Sequence, residues 1–152
     1  MTPRRLDIDS ITAKLQLMDE ALELLDSAGG PSAADLREDG MLRGAVERYL
    51  MLLVDQAVAI NLHVAAALGV DPDRDYTASF AAAADVGAIP TGLAEELAGS
   101  AGMRNVLVHE YVRVDLDLVA AALPHAIEHY RAYVGAIAGF LRRRETPGTP
   151  GT

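Results

Sequence analysis

Between Arg104 and Tyr111 the chain places a strong cation, an imidazole and a phenol within eight residues, in surroundings rich in alanine and leucine. A guanidinium is always charged and fork-shaped, which suits a phosphate. A histidine near its free pKa can take or give protons at neutral pH. If Leu93 to Tyr111 is helical, Leu93, Leu97, Arg104, Leu107, Val108 and Tyr111 share one stripe at about 100° per residue. Arg104 then lies in an apolar face, where its charge is costly unless something pairs with it. Asp55 and Glu110 are the candidate partners across the bundle, and either can equally be solvated. His109 falls roughly 140° from Arg104 on the same wheel. To act beside Arg104 it needs the helix to end near Val108, or a second subunit to supply another histidine. A purely structural arginine–carboxylate pair is the competing reading.

The elements that must position these residues read as helices throughout, with no strand pattern and no internal repeat. A first helix is expected from Ser10, a good N-cap type, to about Ser27, with Ile11, Leu15, Met18, Leu22 and Leu25 on one face. Gly29-Gly30-Pro31 stops it, and Ser32 caps a short turn through Asp39. The second helix, Gly40 to Leu68, carries two apolar seams. Val46, Leu50, Leu53, Ala57, Ile60, Val64 and Ala67 form one; Val54, Val58, Leu62 and Ala65 form the other. A helix apolar on two sides belongs at the centre of a bundle. Gly69 is its expected C′ residue. A loop at residues 71–75 leads to a short helix from Thr77 to Val86, stopped by Gly87. Pro90-Thr91 opens the helix bearing Arg104, in which Gly99 and Gly102 suggest close approach of another helix or simple tolerance. Asp115 caps a last helix to about Arg143, with a kink at Pro124. The expectation is an all-α, up-and-down bundle of four to five helices, one domain over residues 1–144, followed by a disordered tail over 145–152.

A chain of 152 residues can bury one sizeable core. It has no cysteine, which removes thiolate chemistry, disulfides and cysteine zinc sites and leaves redox compartment open. Arg4 and Arg5 near the start precede no apolar h-region, so no secretory signal is expected and cytoplasm is the default. Leu50 to Val70 is the most apolar window. With Asp55, Gln56, Asn61 and His63 inside it, it fits a buried helix better than a membrane span. Net charge −9 argues against broad nucleic-acid binding.

The pattern Arg104-x4-His109-x-Tyr111, with Asn105 directly after the arginine, resembles the signature of the HepT-like toxins of the HEPN group of helical ribonucleases. The likeness extends to the Leu-Val before His109 and the Val-Asp after Tyr111. It extends also to the helix beginning near Arg43–Arg48 and to Tyr76-Thr77-x-x-Phe80, covering roughly Leu6 to Leu141. The resemblance implies a HEPN-like homodimer that places two Arg104/His109 sets in one cleft. It implies a metal-independent endoribonuclease, with no cofactor, acting on an RNA such as tRNA or mRNA. Asn105 would support the phosphate or orient His109, although a helix-surface amide reads equally well, and Arg113 is a possible RNA contact. Tyr111 would be the residue that a cognate MntA-type nucleotidyltransferase antitoxin modifies with AMP, blocking the cleft by charge and bulk. As a bland alternative, Tyr111 is a half-buried tyrosine with its hydroxyl bonded. The rival to the whole reading is a non-catalytic helical dimer of the same fold that binds a nucleotide or a partner.

Other candidates carry less. His125 and His129, spaced i and i+4, could chelate a metal, but lack an evident third ligand and read as a solvated pair. His63 reads as a satisfied core histidine. Arg142, Arg143 and Arg144 could meet an RNA backbone or serve as ordinary partners of a helix C-terminus.

Overall fold

Two apolar seams make one helix the hub, and the others arrange themselves around it. A computed structural model of the chain describes residues 5–71, 75–109 and 114–145, with residues 105, 106, 108 and 109 described by backbone alone. Among the described residues six helices follow one another: α1 Ile8–Ser27, α2 Ala33–Glu38, α3 Gly40–Ala67, α4 Tyr76–Asp85, α5 Thr91–His109 and α6 Leu116–Glu145. No strand occurs among the described residues. Helix α3 meets every other helix. By length and composition alone it could cross a membrane, but Val46, Leu50, Leu53, Ala57, Ile60 and Val64 are each almost wholly buried against the bundle. The expected first face of α1 is buried as well, with Ala21 added to it.

The helix count exceeds the expectation by the six-residue α2, where the sequence predicts only a turn. It is too short for hydrophobic period to reveal. It forms because Ser32 and Asp35 make a capping box: each side chain accepts from the other's backbone N–H, at 3.1 and 2.9 Å. Its one buried residue, Leu36, anchors it. Helix α1 begins at Ile8 rather than Ser10, since Asp7 accepts from the Ser10 N–H at 3.0 Å and takes the cap. The Ser10 hydroxyl instead receives the Lys14 ammonium at 2.9 Å. Likewise Asp75 caps α4, one residue earlier than expected.

Gly69 and Gly87, at φ 82° and 80°, sit in the left-handed region just past α3 and α4, where a side chain would be strained. Gly99 and Gly102 are different. A Cβ at either would meet nothing within 4 Å, so no helix among the described residues approaches them closely. Asp115 caps α6 as expected, accepting from the Asp117 and Leu118 N–H groups at 3.0 and 3.3 Å. Pro124 lies within α6 and leaves the Ala120 carbonyl without its usual donor. Helix α6 extends to Glu145, and the expected tail beyond it, 146–152, lies outside the described residues.

Candidate functional site

Helix α5 buries Ala94, Leu97, Ala101 and Leu107, and Arg104 lies on the same side. The expected apolar setting for the arginine is therefore present. Its Nε donates to Asp55 Oδ1 on α3 at 3.0 Å. Of the two partners the sequence offered, Asp55 is the one seen; Glu110 lies outside the described residues. Tyr76, the first residue of α4, lies against the guanidinium, with Arg104 Cζ 5.2 Å from the ring centroid. Three helices thus fix one cation: α5 carries it, α3 ties its Nε, and α4 supplies an aromatic face.

Beneath the arginine is a small cavity of about 20 Å³, room for about one water. Leu50, Val54, Met103, Leu107 and Ala126 make its apolar wall, and Ser100 and Tyr130 make its polar corner. The Ser100 hydroxyl donates to its own helix at the Leu97 carbonyl, 2.6 Å away. Tyr130 OH, 2.6 Å from Ser100 Oγ, is therefore the donor in that pair.

Behind Tyr76 runs a buried polar ladder. Tyr133 OH donates towards Asn61 Oδ1 at 2.7 Å and the Ala57 carbonyl at 3.0 Å. The Asn61 amide donates to Ser79 Oγ at 3.2 Å, and Ser79 donates to the Tyr76 carbonyl at 2.7 Å. Asn61 and Ser79 are fully buried, and every buried side-chain polar atom among the described residues has a partner. The ladder pins the first turn of α4 to α3 and α6, and so holds the ring that faces Arg104. Sequence reasoning did not find it, although a lone asparagine in an apolar stretch is the kind of signal that could have.

Burial pushes the Tyr130 hydroxyl pKa up, and the Asp55 charge adds to it. Burial likewise pushes Tyr133 well up, with Tyr130 contributing. Unfolded tyrosine titrates near ~10, so above about that pH the folded chain holds protons that the unfolded chain has lost. Stability is then fully present below about pH 10 and declines as pH rises further, by about 1.4 kcal/mol per unit for each tyrosine. Denaturant titrations at a series of alkaline pH values should show that slope. A flat profile would mean that both hydroxyls reach water.

Other expected site residues are placed less fully. Asn105 and His109 belong to α5, and α5 continues through His109, so position 109 stays about 140° round the helix from position 104. Tyr111 and Arg113 lie outside the described residues. His125 and His129 stack, with centroids 6.2 Å apart, and His129 Nε2 comes within 4.0 Å of Glu96. No group of three or more metal-ligating side chains occurs among the described residues. His63 is half-buried and satisfied, its Nε2 accepting the Asp7 N–H at 2.9 Å. Arg142, Arg143 and Arg144 form the last turn of α6, with Arg144 over the Phe140 ring.

The bundle is that of HEPN toxins. It matches a tri-AMPylated Shewanella oneidensis HEPN toxin, solved with an MNT antitoxin, at a TM-score of 0.75 and 22% identity, covering 88% of this chain and 99% of that one. A toxin–antitoxin structure with AMP-PNP gives a TM-score of 0.77 at 21% identity, covering 86% and 98%. Residues 18–137 match the ribonuclease HepT-like family. The tRNA nuclease HepT of Aphanizomenon flos-aquae is 31% identical over 134 residues, 86% of this chain and 89% of the relative. The mRNA nuclease HepT of Shewanella oneidensis is 22% identical over 129 residues, 85% and 96% respectively. The chain belongs to the ribonuclease HepT-like family, and its enzyme class is endoribonuclease.

Proposed function

We propose that the chain is the toxin of a toxin–antitoxin pair, a cytoplasmic, metal-independent endoribonuclease that works as a homodimer. The observation that carries this is the setting of Arg104. Among the described residues the arginine is hydrogen-bonded through Nε alone, its side chain is 22% exposed, and neither terminal nitrogen has a hydrogen bond. That is a cation held ready for an anion.

In the proposed reaction a histidine takes the proton from an RNA 2′-hydroxyl, and the 2′-oxygen attacks the adjacent phosphorus. The bond from phosphorus to the 5′-oxygen breaks, and an acid protonates that oxygen, giving a 2′,3′-cyclic phosphate and a 5′-hydroxyl. Arg104 stabilises the charge on the pentacoordinate phosphorane. His109 of each copy supplies the proton chemistry, one as base and one as acid. The phase of position 109 favours this two-copy arrangement. Asn105 supports the phosphate or orients His109, and Arg113 contacts the RNA backbone. The RNA is a tRNA or an mRNA, and the 31% identity to a tRNA nuclease makes tRNA the first to try.

Control falls to Tyr111. A nucleotidyltransferase partner would transfer AMP to its hydroxyl, placing phosphate charge and bulk at the cleft. The complexes formed by the structural relatives support such a partner. Net charge −9 favours the rival, a non-catalytic dimer of the same fold, because phosphate binding runs on cations. Two experiments separate them. His109→Ala should abolish growth inhibition while the protein stays folded; unchanged toxicity would remove the ribonuclease reading. Intact mass and peptide mapping after co-expression with the nucleotidyltransferase should show one or more AMP units on Tyr111. An unmodified Tyr111 in a stable complex would replace modification with inhibition by binding.

A further inference from the structure

Arg104 has rotamer entropy to lose when it meets a phosphate, and the fold has already restrained it. Asp55 comes from α3, forty-nine residues earlier in the chain, and its single observed contact with Arg104 is at Nε, 3.0 Å away. A guanidinium offers two edges, one including Nε and one formed by the two terminal nitrogens. Binding at Nε leaves the terminal edge for the substrate. Asp55 therefore need not be displaced when an anion arrives. Tyr76 restricts the same group from its face, and the ladder through Ser79, Asn61 and Tyr133 fixes Tyr76 in turn.

We propose that Asp55 is a positioning residue for the ribonuclease reaction: it holds the Arg104 guanidinium by Nε so that the terminal edge meets the scissile phosphate, with Tyr76 as the second jaw of the clamp. This rests on the ribonuclease reading of the same site. A pair serving stability alone is disfavoured by its openness, since Asp55 is 39% exposed and exposed pairs contribute little. The carboxylate also has an electrostatic cost, because it stands near the site a phosphate must enter. Removing it should therefore lower turnover without weakening RNA binding, a combination that simple unfolding does not give.

The test uses the full-length dimer and a tRNA substrate, with kcat and KM measured separately. Asp55→Ala should lower kcat by on the order of 100-fold, as a misplaced catalytic group does, with KM unchanged or lower. Asp55→Asn, whose amide oxygen can still accept from Nε, should recover much of that loss. In an Arg104→Ala background, Asp55→Ala should cost nothing further, because the residue it positions is gone. Thermal melts should place every variant close to wild type. The assignment is overturned if Asp55→Ala keeps wild-type kcat, if its loss is fully additive with Arg104→Ala, or if the loss tracks a fall in melting temperature. Wild-type-like cleavage by Arg104→Ala, or a wild-type protein inert on RNA, would overturn the ribonuclease reading and this assignment together. A silent Asp55→Ala beside a dead Arg104→Ala would overturn this one alone.

Discussion

Replacing Arg104 with alanine is expected to lower RNA cleavage by about 10²- to 10³-fold, the range for losing one preorganised group at a developing charge. The same change should cost little stability. Deleting one member of a buried ion pair costs several kcal/mol because the other charge is stranded. Here the stranded carboxylate would be Asp55, which is 39% exposed and can be hydrated where it stands. The stability cost should then be no more than about 1 kcal/mol, as for surface pairs. A folded but inactive variant is the signature of a functional arginine. A variant that melts far below wild type would instead identify Arg104 as a structural tie, and would favour the plain helical dimer. Cleavage in vitro and a thermal melt on the same preparation decide between the two.

The second large effect lies in the ladder. Asn61→Asp changes almost no volume, so it creates no cavity. It does place a carboxylate at a fully buried position among Tyr133, Ser79 and the Ala57 carbonyl, with no cation in hydrogen-bond contact. Burial of that depth raises a carboxyl pKa by about 3 units or more, equivalent to about 4 kcal/mol at neutral pH. The sign follows from the raised pKa. The variant is close to wild type below about pH 4, where the acid is neutral in both states. It loses stability as pH rises towards the folded-state pKa. Denaturation at acid and neutral pH should therefore separate the variant from wild type only at neutral pH. Equal stability at both would show that water reaches Asn61. Because the ladder ends at the Tyr76 carbonyl, activity should fall with stability.

The apolar period of α1 and the two seams of α3 could be read from sequence because side-chain phase along a helix is local information. So could the placing of Arg104 on an apolar face. Its partner was less legible. A wheel gives the face a residue occupies but not the level at which two helices meet, so the Asp55 contact emerges only from the packing of α3 against α5. Tyr76, Ser100 and Tyr130 join the site from three different helices, and no spacing in the chain links them. The boundary errors have a similar cause. Asp7 and Ser10 are both good caps, and only the geometry that leaves the Ser10 N–H facing Asp7 chooses between them. For Gly99 and Gly102 the sequence leaves close helix approach and simple tolerance open, and among the described residues both face open space.

In the proposed reaction Arg104 and His109 cleave RNA by attack of the 2′-hydroxyl without a metal. The most direct measurement incubates the purified, unmodified protein with tRNA in excess EDTA and identifies both new ends. Cleavage that persists in the chelator, leaving a 2′,3′-cyclic phosphate and a 5′-hydroxyl, is the predicted result. No cleavage until a divalent metal is restored, or products bearing a 5′-phosphate, would contradict it.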